Sequence, residues 1–354
     1  MKPKSVSRRS FLRAGLVSTL GVAGVAALNW RAHPAGHLAG AAPTPDPYST
    51  EMDMGASGHP MTMPDFNGDV DHQANGFDPT ATLTDFDYGQ VSILPNGQTL
   101  REYEINAINK EIEIAPGLMF PAWVYNGRIP GPILRATEGD RVRINFGNGS
   151  DHPHSMHFHG IHVAAMDGVG GAAMVQPGRR FVYEFDAEPF GLHLYHCHMP
   201  PLRRHIHKGL YGVFIVDPPK PRAPARELVM TMNGFDTNLD GENEVYAVNT
   251  VAFHYVRHPI PLRVGELVRI YLVNLTEFDP LNSLHTHANF FHEYRTGTSL
   301  TPNNLTDVTV LAQAERAILE LTYKFPGTYM FHAHQTEFSE LGWTGMFEVR
   351  EMGG

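Results

Sequence analysis

Leu192-His193-Leu194-Tyr195-His196-Cys197-His198 decides the fold, and it holds the only cysteine of the 354-residue chain between two histidines. Successive side chains of a β-strand point to opposite faces, so His196 and His198 share one face and Cys197 takes the other. A lone cysteine has no partner for an intramolecular disulfide. The stretch therefore predicts a strand that offers metal ligands on both faces, with the backbone joining the two sites.

Histidines recur elsewhere at the same spacing. The chain has 21 histidines, and random placement would give roughly one His-x-His pair. Six pairs occur, at positions 152/154, 157/159, 196/198, 205/207, 285/287 and 332/334. Neutral imidazole is the commonest metal ligand in proteins, so this clustering indicates metal ligation.

The cysteine-bearing segment has a second copy later in the chain. Gly191 to His198 corresponds to Gly327 to His334, and Cys197 is replaced there by Ala333. Alternating apolar runs divided by Gly and Pro turns indicate an all-β protein built from β-sandwiches. We predict two such domains, residues 99–218 and 219–354, joined at a proline-rich stretch. Only the first domain can build a thiolate site.

The beginning of the chain has a different character. Ser7-Arg8-Arg9-Ser10-Phe11-Leu12-Arg13 precedes an apolar run, which predicts a twin-arginine signal peptide over residues 1–41 and a periplasmic or secreted protein. The apolar run is short for a membrane span, so no stable membrane insertion of the mature protein is expected.

Residues 42–98 are rich in Pro, Gly, Asp, Asn and Met and are predicted to be a linker or arm. Thioethers suit monovalent copper, and methionine also serves as a flexible filler, so two roles stay open for this arm. The residues concerned are Met52, Met54, His59, Met61 and Met63. The formal net charge of −10, without a basic stripe, argues against a nucleic-acid partner.

A thiolate and imidazoles in one site suit copper or zinc, and structural zinc normally takes more thiolates. Pairing Cys197 with His154 and His205 gives the ligand set of a blue copper centre. The usual weak axial position falls at Leu210, which has no donor atom, so a relatively high reduction potential is expected.

The motifs resemble a known family. They are His154-Ser155-Met156-His157-Phe158-His159-Gly160, His196-Cys197-His198 followed by His205 and Leu210, and Asn126-Gly127-Arg128-Ile129-Pro130-Gly131-Pro132. Over roughly residues 99 to 350 the chain resembles two-domain multicopper oxidases of the laccase type, which are related to copper nitrite reductases. The resemblance implies two Greek-key sandwiches of the cupredoxin type, assembled as a homotrimer.

The resemblance also implies four coppers per subunit. His154, Cys197 and His205 would bind type 1 copper, with Leu210 as the non-bonding axial residue, and His157 and His285 would bind type 2 copper. The type 3 pair would be held by His159, His196, His198, His287, His332 and His334.

One spacing departs from the family. His205 lies eight residues after Cys197, where five are common, and copper nitrite reductases also have a longer connection here. His207 is therefore a rival ligand. We prefer His205 because it keeps the five-residue step to Leu210.

By resemblance, the chain is expected to oxidise phenolic, other organic or metal-ion donors and to reduce dioxygen to water. Electrons would enter through an exposed edge of His154 or His205 and pass through Cys197 to His196 and His198. The trinuclear copper sites would lie between subunits. The alternatives are a copper-containing nitrite reductase and, third, a non-catalytic copper-binding or sequestering protein.

Acidic residues near the reduction site are candidates for proton delivery. Three are named: Asp167, Glu337 and Glu340. The remaining histidines lack a motif partner and are expected to be surface groups or to back the ligands: His152, His162, His193, His254, His258 and His292.

Overall fold

The computed structural model describes residue 66 and residues 68–351. These residues form mainly β-strands, which confirms the predicted all-β fold class. The predicted signal peptide lies outside them. So do the arm residues for which copper binding was one of two open roles, namely Met52, Met54, His59, Met61 and Met63. Within the described ranges, no helix is both long enough and apolar enough to cross a bilayer.

Ten strands precede the proline-rich stretch at 218–224. They are β1 (Phe86–Asp87), β2 (Gln90–Ile93), β3 (Thr99–Ala115), β4 (Leu118–Tyr125), β5 (Ile133–Thr137), β6 (Arg141–Asn148), β7 (His157–Phe158), β8 (Arg180–Asp186), β9 (Gly191–His196) and β10 (Tyr211–Asp217). One sheet has the order β1-β5-β10-β9-β7, and the other has the order β2-β3-β6-β8 with β4 paired to β3.

Eleven described strands follow. They are β11 (Arg226–Phe235), β12 (Val245–Val248), β13 (Ile260–Arg263), β14 (Val268–Asn274), β15 (Leu281–Thr286), β16 (Phe291–Arg295), β17 (Asn304–Thr306), β18 (Val308–Ala312), β19 (Arg316–Leu321), β20 (Gly327–His332) and β21 (Thr344–Arg350). Their sheets have the orders β12-β11-β14-β19-β16-β17 and β13-β21-β20-β15-β18.

The described helices are short. They are α1 (His72–Asn75), α2 (Pro79–Thr82), α3 (Leu202–His207), α4 (His254–Arg257) and α5 (Thr336–Glu340), with 3₁₀ turns at Ala164–Met166 and Gly171–Ala173. An aspartate caps each of the first two: the carboxylate of Asp71 accepts from the N–H of Ala74, and that of Asp78 accepts from the N–H of Thr80.

Residues 72–93 of the predicted arm are folded. They form α1 and α2, after which β1 pairs with β5 and β2 pairs with β3. The aspartate caps and the proline at the start of α2 are ordinary helix-initiating signals. The sequence prediction missed these helices because each is only four residues long.

The two copies of the repeated segment have the same strand register. His157 on β7 lies opposite His196 on β9, and His285 on β15 lies opposite His332 on β20. Directly opposed residues in an antiparallel pair place their side chains on the same face, about 5 Å apart at Cβ. The register alone therefore brings histidines together at one position in each half of the chain.

Apolar side chains of both halves pack into one buried cluster. It contains Val213 and Ile215 of β10 together with Val273 of β14 and Ile318 of β19. A polar contact adds to it, since the guanidinium of Arg316 donates to the backbone oxygen of Leu192 at 2.9 Å. Strands β10 and β14 are accordingly covered along nearly their whole length, which explains why most of their residues are apolar.

Candidate metal centre

Three side chains converge at the end of the first half. His154 precedes β7, Cys197 directly follows β9, and His205 lies on α3. The sulfur of Cys197 is 3.3 Å from Nδ1 of His205 and 3.9 Å from Nδ1 of His154, and the two nitrogens are 3.2 Å apart. The predicted thiolate and imidazole set is thus assembled from three separate elements.

Burial controls the protonation of this set. Burial lowers the pKa of His154 to about 3 and that of His205 to about 4, so both imidazoles stay neutral. Burial also raises the pKa of the Cys197 thiol to about 11, although the N–H of Ser155 points at its sulfur. A thiolate in this position needs a cation beside it. One soft thiolate with two neutral imidazoles is a donor set that fits copper.

The contacts of His207, the rival ligand, show which way its side chain points. His207, at the end of α3, accepts a hydrogen bond at Nε2 from the N–H of Asp236, and its ring packs between Phe120 and Phe278. The helix turns His205 toward Cys197 and His207 toward the second half of the chain. Leu210 is fully buried in the same apolar cluster as Cys197, and its backbone oxygen accepts from the Cys197 N–H at 2.9 Å.

The expectation that His154 or His205 has an exposed edge was wrong. Both residues are buried, His154 completely, because the indole of Trp123 lies over both rings at centroid distances of 5.2 and 4.8 Å. His152 also packs on Trp123, at 4.6 Å. Trp123 is itself only 5% exposed, so the more exposed groups over the type 1 candidates are His152 and Arg204, which pack on the indole.

Four histidines form a tetrad in the first half, with His157 at its centre. The ring of His157 lies 5.0 Å from His159, 5.2 Å from His196 and 5.0 Å from His198. The Nε2 atoms of His159 and His196 are 2.9 Å apart. Burial lowers the pKa of His159 to about 3 and that of His196 to about 4, so these rings are in the ligating, neutral form.

A matching tetrad lies in the second half, centred on His285. Its ring is 5.0 Å from His287, 5.4 Å from His332 and 5.5 Å from His334. The Nε2 atoms of His287 and His332 are 3.1 Å apart. Among the residues the structure describes, the ring contacts of each tetrad stay within its own half of the chain.

In several ligand candidates the second ring nitrogen is held by the protein. Nδ1 of His157 contacts the carboxylate of Asp167 at 2.8 Å, and Nδ1 of His285 contacts the backbone oxygen of Asp307 at 2.9 Å. Nδ1 of His196 contacts the backbone oxygen of Cys197. Such contacts turn Nε2 toward the centre of each tetrad and fix the tautomer.

The predicted acidic residues lie in different surroundings. Asp167 contacts His157 and lies 3.5 Å from Nε2 of His162. Glu337 is half-buried on α5, where its charge acts on Tyr246, and Glu340 is exposed near the end of the same helix. The contact of Asp167 with the tetrad residue His157 is seen directly.

Two serines hold the tetrads without having been predicted. The hydroxyl of Ser155 accepts from the N–H of His198 at 3.1 Å, and that of Ser283 accepts from the N–H of His334 at 2.8 Å. Ser155 and Ser283 occupy equivalent positions in the two copies of the repeat, and this correspondence could have identified them from the sequence. His193 likewise backs its tetrad, with Nδ1 3.3 Å from the backbone oxygen of His159.

Comparison with known proteins gives a consistent result. Sequence models described as multicopper oxidase match residues 107–221 and 221–353. A solved structure of a multicopper oxidase is 56% identical, covers 80% of this chain and all of its own, and has a TM-score of 0.78.

Nitrite reductases are also similar, at lower identity. The copper nitrite reductase structure from Nitrosomonas europaea is 27% identical over 71% of this chain and 94% of its own, with a TM-score of 0.64. The copper-containing nitrite reductase of Neisseria meningitidis serogroup A is 28% identical over 65% of this chain and 64% of its own length. The chain thus spans just under two thirds of the curated relatives that it matches first.

Proposed function

Because the chain belongs to the multicopper oxidase family, we propose that it is a laccase-like oxidase that couples one-electron oxidation of small donors to reduction of dioxygen to water. One observation carries this proposal. Cys197 belongs to the three-residue site, and the residues on either side of it, His196 and His198, belong to the first tetrad. The two sites are therefore joined by a few covalent bonds.

We propose four coppers per subunit. Copper bound by these side chains would supply one-electron redox chemistry, which joins four single-electron oxidations of a donor to the uptake of four protons and the reduction of one dioxygen to two waters. The type 1 ligands are His154, Cys197 and His205, with Leu210 non-bonding. The central histidines His157 and His285 take type 2 copper. The type 3 ligands are His159, His196, His198, His287, His332 and His334.

The tetrads support assembly as a homotrimer with trinuclear sites between subunits. A three-copper site needs the eight histidines together, and the ring contacts of each described tetrad stay within one half of the chain. His334 is exposed in the single chain. Large apolar side chains that follow tetrad histidines closely in the sequence are exposed too, with Val163 at 64% and Phe290 at 59%. A ring with heterologous interfaces would bury these groups.

The donor is proposed to approach over Trp123. A cleft of about 370 Å³ is lined there by Trp123, His152, Pro121, Arg204 and Lys208. The guanidinium of Arg204 lies 5.1 Å above the indole, so the entrance is aromatic and positively charged. This suits phenolic or other small organic donors better than cationic metal ions.

The absorption spectrum of the oxidised, copper-loaded protein tests the proposal. An intense visible thiolate band with the near-ultraviolet shoulder of a coupled copper pair is expected, together with dioxygen uptake when a phenol is added. A visible band without the shoulder, and turnover of nitrite instead of dioxygen, would support the nitrite reductase alternative. A colourless protein that binds copper would support the copper-sequestering alternative.

We also propose export by the twin-arginine pathway to the periplasm or the exterior. The support is the Arg8-Arg9 pair and the apolar run that follows it. Replacement of both arginines by lysine is expected to leave the protein in the cytoplasm, which cell fractionation would detect.

A further inference from the structure

Four potential metal ligands lie together away from both tetrads and from Cys197. They are Asp69, His72 on α1, His254 on α4 and His258 just after α4. One ligand atom from each lies within 4.8 Å of those of the others. Two come from the segment before the first sheets and two come from the second half, so the cluster bridges parts of the chain that are nearly 200 residues apart.

His254 is the best-defined member. It is 2% exposed, and its Nδ1 is buried without a hydrogen-bond partner. Its other nitrogen, Nε2, is 2.7 Å from the hydroxyl of Thr80 and 3.6 Å from the carboxylate of Asp78. A ring held at one nitrogen, with the other left bare in a buried place, has the arrangement of a metal-ligating histidine.

His72 leaves both of its ring nitrogens buried and without a hydrogen-bond partner. Its ring meets that of His254 edge-on at 5.0 Å, and the ring of His258 lies 4.7 Å from His254. Unpaired buried polar atoms are costly, and a single ion could bind Nδ1 of His254 and one ring nitrogen of His72. Burial and the two neighbouring histidines keep His254 neutral, since they lower its pKa to about 3.

The carboxylate of Asp69 supplies the oxygen. Its Oδ2 is 2.6 Å from Nε2 of His258, and its Oδ1 is 3.9 Å from Nε2 of His72 and 3.6 Å from the guanidinium of Arg257. The guanidinium of Arg257 competes for this carboxylate, and it also donates a hydrogen bond to the backbone oxygen of Ala252. One carboxylate oxygen and three imidazoles complete a four-ligand set.

We propose that Asp69, His72, His254 and His258 form a Zn²⁺ site that fastens the segment preceding the first sheets to the second half of the chain. Structural zinc sites normally contain thiolates, but imidazole nitrogen and carboxylate oxygen are also zinc ligands, and three of the first with one of the second fill its tetrahedral coordination. The site is separate from the oxidase chemistry, and its role is to hold α1 against α4.

Elemental analysis of the copper-loaded, full-length protein tests this inference directly. After equilibrium dialysis against micromolar Zn²⁺, the wild-type protein is expected to carry one more zinc per chain than His254→Ala and His258→Ala. His292→Ala, which removes an exposed histidine outside the cluster, is the matched control and should retain that zinc. Equal zinc in all four proteins would overturn the proposal.

A thermal measurement provides the second readout. A hundredfold excess of Zn²⁺ over its dissociation constant should raise the melting temperature of the wild type by roughly 5 °C and leave the variants unchanged. The side chains of His258 and Asp69 are each about 43% exposed, so His258→Ala and Asp69→Asn are expected to fold. Their melting temperatures can therefore be measured even if His254→Ala does not fold. The visible thiolate band reports that each variant is folded. A shift of the same size in the variants would contradict the assignment.

Discussion

The indole N–H of Trp343 donates a hydrogen bond to the side-chain oxygen of Asn282 at 3.1 Å. These residues occupy the places that Leu210 and His154 hold in the first half. The N–H of Ala333 donates to the backbone oxygen of Trp343, as the N–H of Cys197 does to that of Leu210. In the second half, Asn282, Ala333 and Trp343 stand where the first half has His154, Cys197 and Leu210. The second copy of the thiolate site is therefore filled by a buried indole.

Restoring the cysteine alone should not restore this site. In the double variant Cys197→Ser/Ala333→Cys, the new thiol would face Trp343 and Asn282 instead of two imidazoles. Ala333 is fully buried, so the larger side chain is also expected to cost about 1–3 kcal/mol of unfolding free energy. The purified double variant should be colourless, and an intense visible band from it would contradict this account of the second half.

Cys197→Ser should separate the two copper sites functionally. Serine keeps the size of the side chain but is not the soft thiolate donor that the site needs, so the visible band and donor oxidation should be lost, with turnover falling more than ~100-fold. The tetrads contain only histidine, so most of their copper should remain by elemental analysis. Undiminished phenol oxidation would remove the proposed electron route.

Much of this arrangement could be predicted from the sequence. The spacing of His196, Cys197 and His198 predicts that the two histidines share a face, and their rings do stack, at 5.7 Å, although β9 ends at His196. The repeat likewise predicts corresponding histidine pairs in the two halves of the chain. The rotation of the short helix α3 about its axis could not be predicted in this way. The choice between His205 and His207 depends on how α3 packs against Asp236 and Phe278, and local spacing carries no information about those contacts.

Long-range contacts account for what the sequence did not reveal. Trp123 covers His154 and His205 from a strand about 30 residues away from the first of them. His254 and His258 lack a His-x-His partner because their neighbours, Asp69 and His72, lie far away in the chain. His258 is on the surface, as expected, whereas His254 is buried at 2% exposure and contacts the hydroxyl of Thr80, which only tertiary information reveals.

Asp167→Asn should weaken metal binding through His157. The variant keeps the shape of the side chain but removes the negative charge at 2.8 Å from Nδ1, which makes the imidazole a poorer ligand. Losses of about 10–100-fold are typical for this kind of contact. We expect less copper per chain and slower dioxygen uptake in proportion.

The exposed Asp151, which contacts His152, offers the control variant Asp151→Asn. Full copper content with slow dioxygen uptake in Asp167→Asn would instead favour the proton-delivery role predicted for this carboxylate. An Asp167→Asn protein that matches the wild type in both measurements would contradict both roles.

Glu277 should make the protein less stable as the pH rises. Burial raises its pKa from 4.5 to about 7, against the opposing charge of Arg203. Between these two values the folded protein keeps a proton that the unfolded chain releases. The unfolded state then binds fewer protons, so this group lowers the free energy of unfolding from about pH 4.5 to about pH 7, and the penalty stays constant above that.

Glu277→Gln replaces the protonated form with a neutral side chain of the same shape. The free energy of unfolding of the variant, relative to that of the wild type, should therefore be higher at pH 8 than at pH 5. The expected difference is on the order of 1 kcal/mol once partial exposure is allowed for. Urea unfolding of both copper-loaded proteins at the two pH values measures this difference, and copper effects common to both proteins cancel. The exposed Glu242 gives the control Glu242→Gln, for which no such change is expected. If Glu277→Gln shifts stability equally at pH 5 and pH 8, its carboxyl group does not titrate between them.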